Sequence, residues 1–171
     1  DIVSIHATSH TPVMINFPEA IPTQDRQEIF AAFRSVGAEI LAARPDAVVV
    51  ISDDHVHNFF LDNLPAVCIG AAASWKSPVE HWLKIDQHEL RGDVQLGGHL
   101  ITSALEGGFD PAFSMELTLD HGTLAPLHLA GIARVFPRLN APYRPPAEPL
   151  RALDEALPKL DAVEPMGKEL L

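Results

Sequence analysis

Pro45-Asp46-Ala47-Val48-Val49-Val50-Ile51-Ser52-Asp53-Asp54-His55 sets a continuous apolar run, residues 47–51, between two polar brackets. Five apolar residues rich in β-branched valine are too few for a helix and too uniform to leave one face in water. They predict a strand buried on both faces, as parallel sheets require. Upstream, Ile29, Phe30, Phe33, Val36, Ile40 and Leu41 recur at three- and four-residue spacing and mark one apolar face of a helix that Pro45 ends. Thr23 is a candidate cap for its start. Further upstream, Ile2-Val3-Ser4-Ile5 reads as a first strand, breaking into the polar loop Ala7-Thr8-Ser9-His10-Thr11-Pro12.

Downstream, Ala66-Val67-Cys68-Ile69 is another short strand, closed by Gly70. Residues 71–91 show no clear period and hold Trp75, Trp82, His81 and His88; they read as a long loop or mixed segment of functional interest. From Asp93 the helical period returns through Val94, Leu96, Leu100, Ile101, Ala104 and Leu105, until Gly107-Gly108 stops it. Residues 112–118 form a further strand that leads to Leu119-Asp120-His121-Gly122. Beyond about Pro126 the pattern decays into a proline-rich loop, with a modest helix expected over 150–160. Strands alternating with helices give an α/β fold: a single domain with a central, mostly parallel sheet and helices packed on it.

The chain has 171 residues, enough for one domain with a real core. Its formal charge of -11 repels phosphate backbones and anionic lipid, which argues against nucleic-acid and membrane partners. No apolar run approaches the ~20 residues of a spanning helix, and no signal-peptide pattern occurs. Cys68 is the only cysteine, so no internal disulfide can form, and a cytoplasmic location is expected.

Walker loops, Gly-x-Gly-x-x-Gly turns, Gly-x-Ser-x-Gly elbows and paired-cysteine zinc patterns are all missing, which leaves the nine histidines as the main chemical signal. His10, His55 and His121 each come just after an expected strand, and ligands in open α/β sheets bind at the carboxyl ends of strands. Three distant segments thus deliver an imidazole to one rim. The carboxylates of Asp53 and Asp54 are candidates to hold the second nitrogen of His55, although a solvated turn is the plainer reading of that pair. Gly122 lets the chain turn sharply after His121. On an extended chain His57 faces the same side as His55 and either lines the site or caps a turn. His6 and His99 read as packing or surface residues, and Cys68 as a small buried hydrophobe. Imidazoles and carboxylates without thiolates suit iron(II), manganese or zinc.

Ser9-His10-Thr11-Pro12 resembles the Ser-His-x-Pro motif of the class III extradiol (catechol ring-cleaving) dioxygenases, the superfamily of the protocatechuate 4,5-dioxygenase β subunit and 2,3-dihydroxyphenylpropionate dioxygenase. Ser52-Asp53-Asp54-His55, with Asn58-Phe59-Phe60-Leu61-Asp62-Asn63-Leu64-Pro65 behind it, is similar to that family's Asp-His motif. Glu116-Leu117-Thr118-Leu119-Asp120-His121-Gly122 is similar to its Asp-His-Gly motif. The three occur in the family's order over about the first 130 positions.

The resemblance implies that His10 and His55 are ligands to Fe(II) and that His121 is an acid–base residue. It implies a catecholic substrate and O₂, both oxygen atoms entering the ring as it opens. Two histidines and one carboxylate on one face of iron leave three positions open, enough for two catechol oxygens and O₂. Phe59, Phe60, Trp75 and Trp82 are candidate ring-stacking residues, with core packing the plainer reading of the phenylalanines. A homo-oligomer is the expected assembly, with a hetero-oligomer as the alternative. The family's C-terminal glutamate ligand and its Gly-Gly-x-Ser-His motif have no counterpart here: Glu148, Glu155, Glu164 and Glu169 lie in no matching context. The single domain is therefore read over 1–171 with its part from about 130 diverged, truncated or incompletely represented. The rival readings are a zinc-dependent hydrolase at the same histidines, a non-catalytic binding protein with this fold, and a subunit whose partner completes the site.

Overall fold

The structure, a computed structural model, describes residues 1–133. The helix expected over 150–160, the proline-rich loop before it and the four late glutamates lie outside the described residues. The elements are α1 (Val13–Asn16), a 3-10 turn (Pro18–Ala20), α2 (Thr23–Ala43), β1 (Cys68–Gly70), β2 (Ser74–Ser77), β3 (His88–Arg91), α3 (Val94–Glu106), β4 (Ala112–Ser114) and α4 (His121–Leu129).

α2 realises the expected apolar face. Phe30, Phe33, Ile40 and Leu41 are buried along it, and Ile29 and Val36 pack at its margins. Pro22 occupies the cap position and Thr23 is already helical, with no side-chain cap bond, so the expected capping by Thr23 is not made. The helix ends at Arg44 in the left-handed conformation, one residue before Pro45.

β1 and β4 pair in parallel, Cys68 opposite Ala112 and Gly70 opposite Ser114, with α3 in the connection between them. This is the strand–helix–strand unit expected of an α/β protein. α3 starts at Asp93, whose carboxylate accepts from Leu96 N–H at 2.9 Å, and it lies close on the sheet. A Cβ at Gly97 would stand 2.8 Å from Ala71 Cα. Leu96, Leu100, Ile101 and Ala104 are only half-buried, and Val94 and Leu105 are exposed. A sheet of two strands offers a narrow floor, so α3's apolar stripe overhangs it. Inside the aperiodic segment 71–91, β2 and β3 form an antiparallel hairpin, Trp75 opposite Leu90.

Two expected strands are not formed. Residues 2–5 and 47–51 form no regular element and pair with no strand among the described residues. Their side chains are exposed rather than buried on both faces; Ile5 is 82% and Ile51 96% accessible. A strand needs a neighbour for its N–H and C=O groups as much as apolar side chains, and here only the side chains are supplied.

The core lies beneath the rim. Met14 and Ile15 of α1, Phe30 and Phe33 of α2, Leu83, Ile85 and Leu90 of the hairpin segment, and Leu124, Ala125 and Leu129 of α4 form one buried cluster. α4 was not foreseen, because it is apolar nearly all round and carries Pro126 inside it, so it shows no helical stripe. No helix among the described residues is long and apolar enough to cross a membrane.

Candidate metal centre

Four polar side chains knot together the segments that carry His10, His55 and His121. The first is Asn16, buried at the end of α1, shortly after His10. Its amide donates to Trp82 O at 2.9 Å and accepts from Lys84 N–H at 2.9 Å, while Lys84 Nζ donates to its backbone carbonyl at 2.9 Å. This fastens α1 to the segment holding Glu80 and Trp82. That segment is in turn bound to the chain before His121, with Val79 N–H donating to Leu119 O at 2.9 Å.

The second is Asn58, whose amide behaves as a short length of strand toward Thr118. It accepts from Thr118 N–H at 2.8 Å and donates to Thr118 O at 2.9 Å. Asp54 holds Asn58 in place, accepting from its side-chain amide at 2.8 Å and from the N–H groups of Asn58 and Phe59. Burial opposes ionisation of Asp54, but the N–H donors of Phe59, Asn58 and His57 outweigh it and hold its carboxyl below the usual value. Burial, with the charge of Asp54, raises the Cys68 thiol, consistent with a structural cysteine.

The third is Asp120, buried at 3% exposure. Oδ1 caps α4 by accepting from Gly122 N–H at 2.8 Å. Oδ2 faces both the backbone N–H and Nδ1 of His55, each at 2.9 Å. Asp120, and not Asp53 or Asp54, is therefore the carboxylate that orients His55. Sequence adjacency misleads here because the chain reverses at Val56, a β-branched residue at φ 63°, in the left-handed region that such residues avoid. His57 is consequently not carried along an extended strand. Its Nε2 lies 3.3 Å from Glu80 Oε1.

The fourth is Glu80, also 3% exposed, whose Oε1 stands 2.5 Å from His121 Nδ1. Gly122 serves the site by its lack of a side chain rather than by an unusual backbone angle. A Cβ there would meet Ser52 Oγ at 2.8 Å and His55 Cε1 at 2.9 Å.

The three imidazoles converge. Ring centroids are 4.1 Å apart for His55 and His121, 5.2 Å for His10 and His55, and 6.1 Å for His10 and His121. Among the described residues, His55, Asp120 and His121, and separately His57, Glu80 and Asp120, offer metal-binding atoms within 4.8 Å of one another. His10 belongs to neither grouping. The oxygens of Asp120 are already engaged by N–H groups, which makes it an orienting residue rather than a ligand. With Nδ1 of His55 held by a buried carboxylate, its Nε2 is the nitrogen left that could bind a metal. Imidazoles backed by carboxylates, with no thiolate, fit a divalent first-row metal. Trp82 flanks the group, its ring 5.8 Å from that of His121, whereas Trp75 packs against the core.

Of the residues singled out from sequence, His10, His55 and His121 are brought together, and His57 reaches the same neighbourhood through Glu80. His6 instead approaches Glu39 of α2 at 3.8 Å, and His99 is exposed on α3. Asn16, Asn58 and Glu80 were missed. The helix-start signal of Asp120 was available, an aspartate directly before an apolar stretch. Glu80 sits in an aperiodic segment and carries no local signal.

Comparison with known proteins identifies the family of the chain. The family model described as the catalytic LigB subunit of aromatic ring-opening dioxygenase matches residues 4–159. The chain is 31% identical over 165 residues to 2,3-dihydroxyphenylpropionate/2,3-dihydroxicinnamic acid 1,2-dioxygenase 2 of Pseudomonas putida, covering 90% of this chain and 49% of that protein. It is 33% identical over 130 residues to the corresponding dioxygenase of Photorhabdus laumondii, covering 74% and 38%. A Mycobacterium relative of the same name is 30% identical over 154 residues, covering 88% and 47%. The chain thus spans about half, or less, of the length of these relatives. On these matches, the chain belongs to the family of catalytic LigB subunits of aromatic ring-opening dioxygenases.

Proposed function

We propose that the chain carries the metal-binding rim of a non-haem iron(II) extradiol dioxygenase, which inserts both atoms of O₂ into a catechol-type ring and opens it. One observation carries the reading: three imidazoles from distant segments stand with ring centroids no more than 6.1 Å apart, and buried carboxylates hold Nδ1 of two of them.

In this reading His10 and His55 hold the metal and His121 is the acid–base residue. Iron(II), were it held by His10 and His55, would supply Lewis-acid and one-electron chemistry toward a catechol and O₂. His55 keeps its ligand nitrogen available because Asp120 occupies the other. His121, with Nδ1 against Glu80, keeps Nε2 to take the phenolic proton and return it as the ring opens. An imidazole suits both tasks because it exchanges protons near neutral pH. Trp82 presents a half-exposed aromatic face beside His121 for the substrate ring. The names of the relatives make 2,3-dihydroxyphenylpropionate the first substrate to try. A cytoplasmic homo-oligomer is part of the same reading, and light scattering on the purified protein checks the assembly.

The test uses protein purified without oxygen, loaded with Fe(II), and offered 2,3-dihydroxyphenylpropionate, catechol, protocatechuate and gallate. O₂ uptake and a yellow ring-opened product are expected with at least one. Zinc as the metal that restores activity, with hydrolysis of an ester or amide probe and no O₂ uptake on any catechol, would instead indicate a hydrolase. His10→Ala and His55→Ala lose the metal, whereas His121→Ala keeps it and turns over about 10²–10⁴-fold more slowly. A His10→Ala protein that binds iron and reacts like the parent sinks the assignment.

A further inference from the structure

Glu80 is the most deeply enclosed carboxylate near the rim, its side chain only 1% accessible. A carboxylate out of water must be matched by donors, since burying it unpaired forfeits its hydration with nothing in return. Glu80 faces two. Oε1 lies 2.5 Å from Nδ1 of His121 and 3.3 Å from Nε2 of His57. Oε2 is buried and has no hydrogen-bond partner among the described residues. The backbone around Glu80 is fixed from both sides, by Asn16 through Trp82 O and by Leu119 through Val79 N–H. A carboxylate so placed cannot follow the imidazole; the imidazole must follow it.

We infer that Glu80 is the positioning residue for His121. It accepts from the Nδ1–H of His121 and so fixes the plane of the ring and the tautomer in which Nε2 carries the free lone pair. The usual tautomer of a free neutral imidazole protonates Nε2 instead, so this arrangement has to be imposed, and the partner of the other nitrogen imposes it. Glu80 and Asp120 then act in parallel: each buried carboxylate holds Nδ1 of one rim histidine and leaves Nε2 for the chemistry. His57 completes the cradle of Glu80 rather than joining the reacting group.

The catalytic consequence rests on the ring-cleavage reading, but the tautomer does not, so the two are tested apart. In the metal-free, ¹⁵N-labelled full chain, two-bond ¹H–¹⁵N correlations identify the protonated nitrogen of His121, with His121→Gln providing the assignment. The parent is expected to show the Nδ1–H form with a strongly downfield proton. Glu80→Gln keeps an acceptor oxygen, so the tautomer should persist while the proton moves upfield. Glu80→Ala should revert to the Nε2–H form. An Nε2–H parent, or spectra unchanged in Glu80→Gln, overturns the inference even if the alanine variant fails to fold. In turnover, Glu80→Ala should lower kcat about 10–100-fold with KM within about threefold, and glutamine should restore much of it. A raised KM at unchanged kcat overturns the positioning role. Should the parent itself not cleave catechols, the functional reading fails and the spectra still decide the role of Glu80.

Discussion

Residues 53–59 and residues 47–51 are neighbours in the chain and are held in different ways. The first are tied through Asp54, Asn58 and the Nδ1 of His55 to Thr118 and Asp120, all at hydrogen-bond distance. The second make no backbone hydrogen bond to another described residue, and Val49 and Ile51 lie in the open. The same contrast recurs around His10, where residues 2–5 are exposed and the chain after it is anchored by Asn16. The histidines are thus brought together by polar ties between loops, seated on a core that α4, α1 and the hairpin segment share, and not by a sheet ladder beneath them.

That contrast predicts where the protein is sensitive. Asp120→Ala has the largest expected effect, because one side chain caps α4 and orients His55. Losing a cap costs about 1 kcal/mol, and leaving the partly buried N–H of His55 without its acceptor adds about 1–3 kcal/mol. A fall of about 2–4 kcal/mol in urea unfolding, together with loss of metal binding, is expected. If stability held, the rim would be supported by something other than these ties.

Gly122→Ala comes next. The added methyl would press on Ser52 and His55, which overpacking puts at about 1–3 kcal/mol, and because it displaces His55 it should weaken metal binding more than it lowers the melting temperature. Equal metal affinity in parent and variant would show that His55 has room to move.

How much of this was legible follows the same division. The face of α2, the start and stop of α3 and the strands around Cys68 and Ala112 were readable because periodicity, caps and glycines act over a few residues. The positions of His10, His55 and His121 at one rim were readable from where segments end. α4 was hidden by its lack of a stripe. The strands expected at 2–5 and 47–51 show that apolar content marks a preference for burial without supplying the partner. The pairing of His55 with Asp120, and of His121 with Glu80, is long-range and set by the reversal at Val56 and by the placement of the hairpin segment. No spacing rule connects such residues.

Acid should find the polar ties selectively. The carboxyl of Asp54 lies below its usual value in the folded chain, so its contribution to stability is complete above the ordinary carboxylate range. That contribution fades as pH falls below about 4 and through the lowered folded value. In metal-free protein, Asp54→Asn should lower stability at neutral pH and flatten this acid limb. Parallel curves for parent and variant would mean that the donors at Asn58 and Phe59 do not favour the charged form.

The smallest expected effect belongs to the other side of the comparison. Ile51 is 96% accessible, so Ile51→Ser removes almost no buried surface and should change unfolding stability by less than about 0.5 kcal/mol. Leu124, fully enclosed under the rim, is the control: Leu124→Ala should cost about 2–5 kcal/mol. A serine at position 51 that cost as much as the alanine at 124 would mean that the valine-rich run is covered in solution. The burial predicted by its composition would then be real, supplied from beyond residues 1–133, and the polar ties would share the task of placing His55.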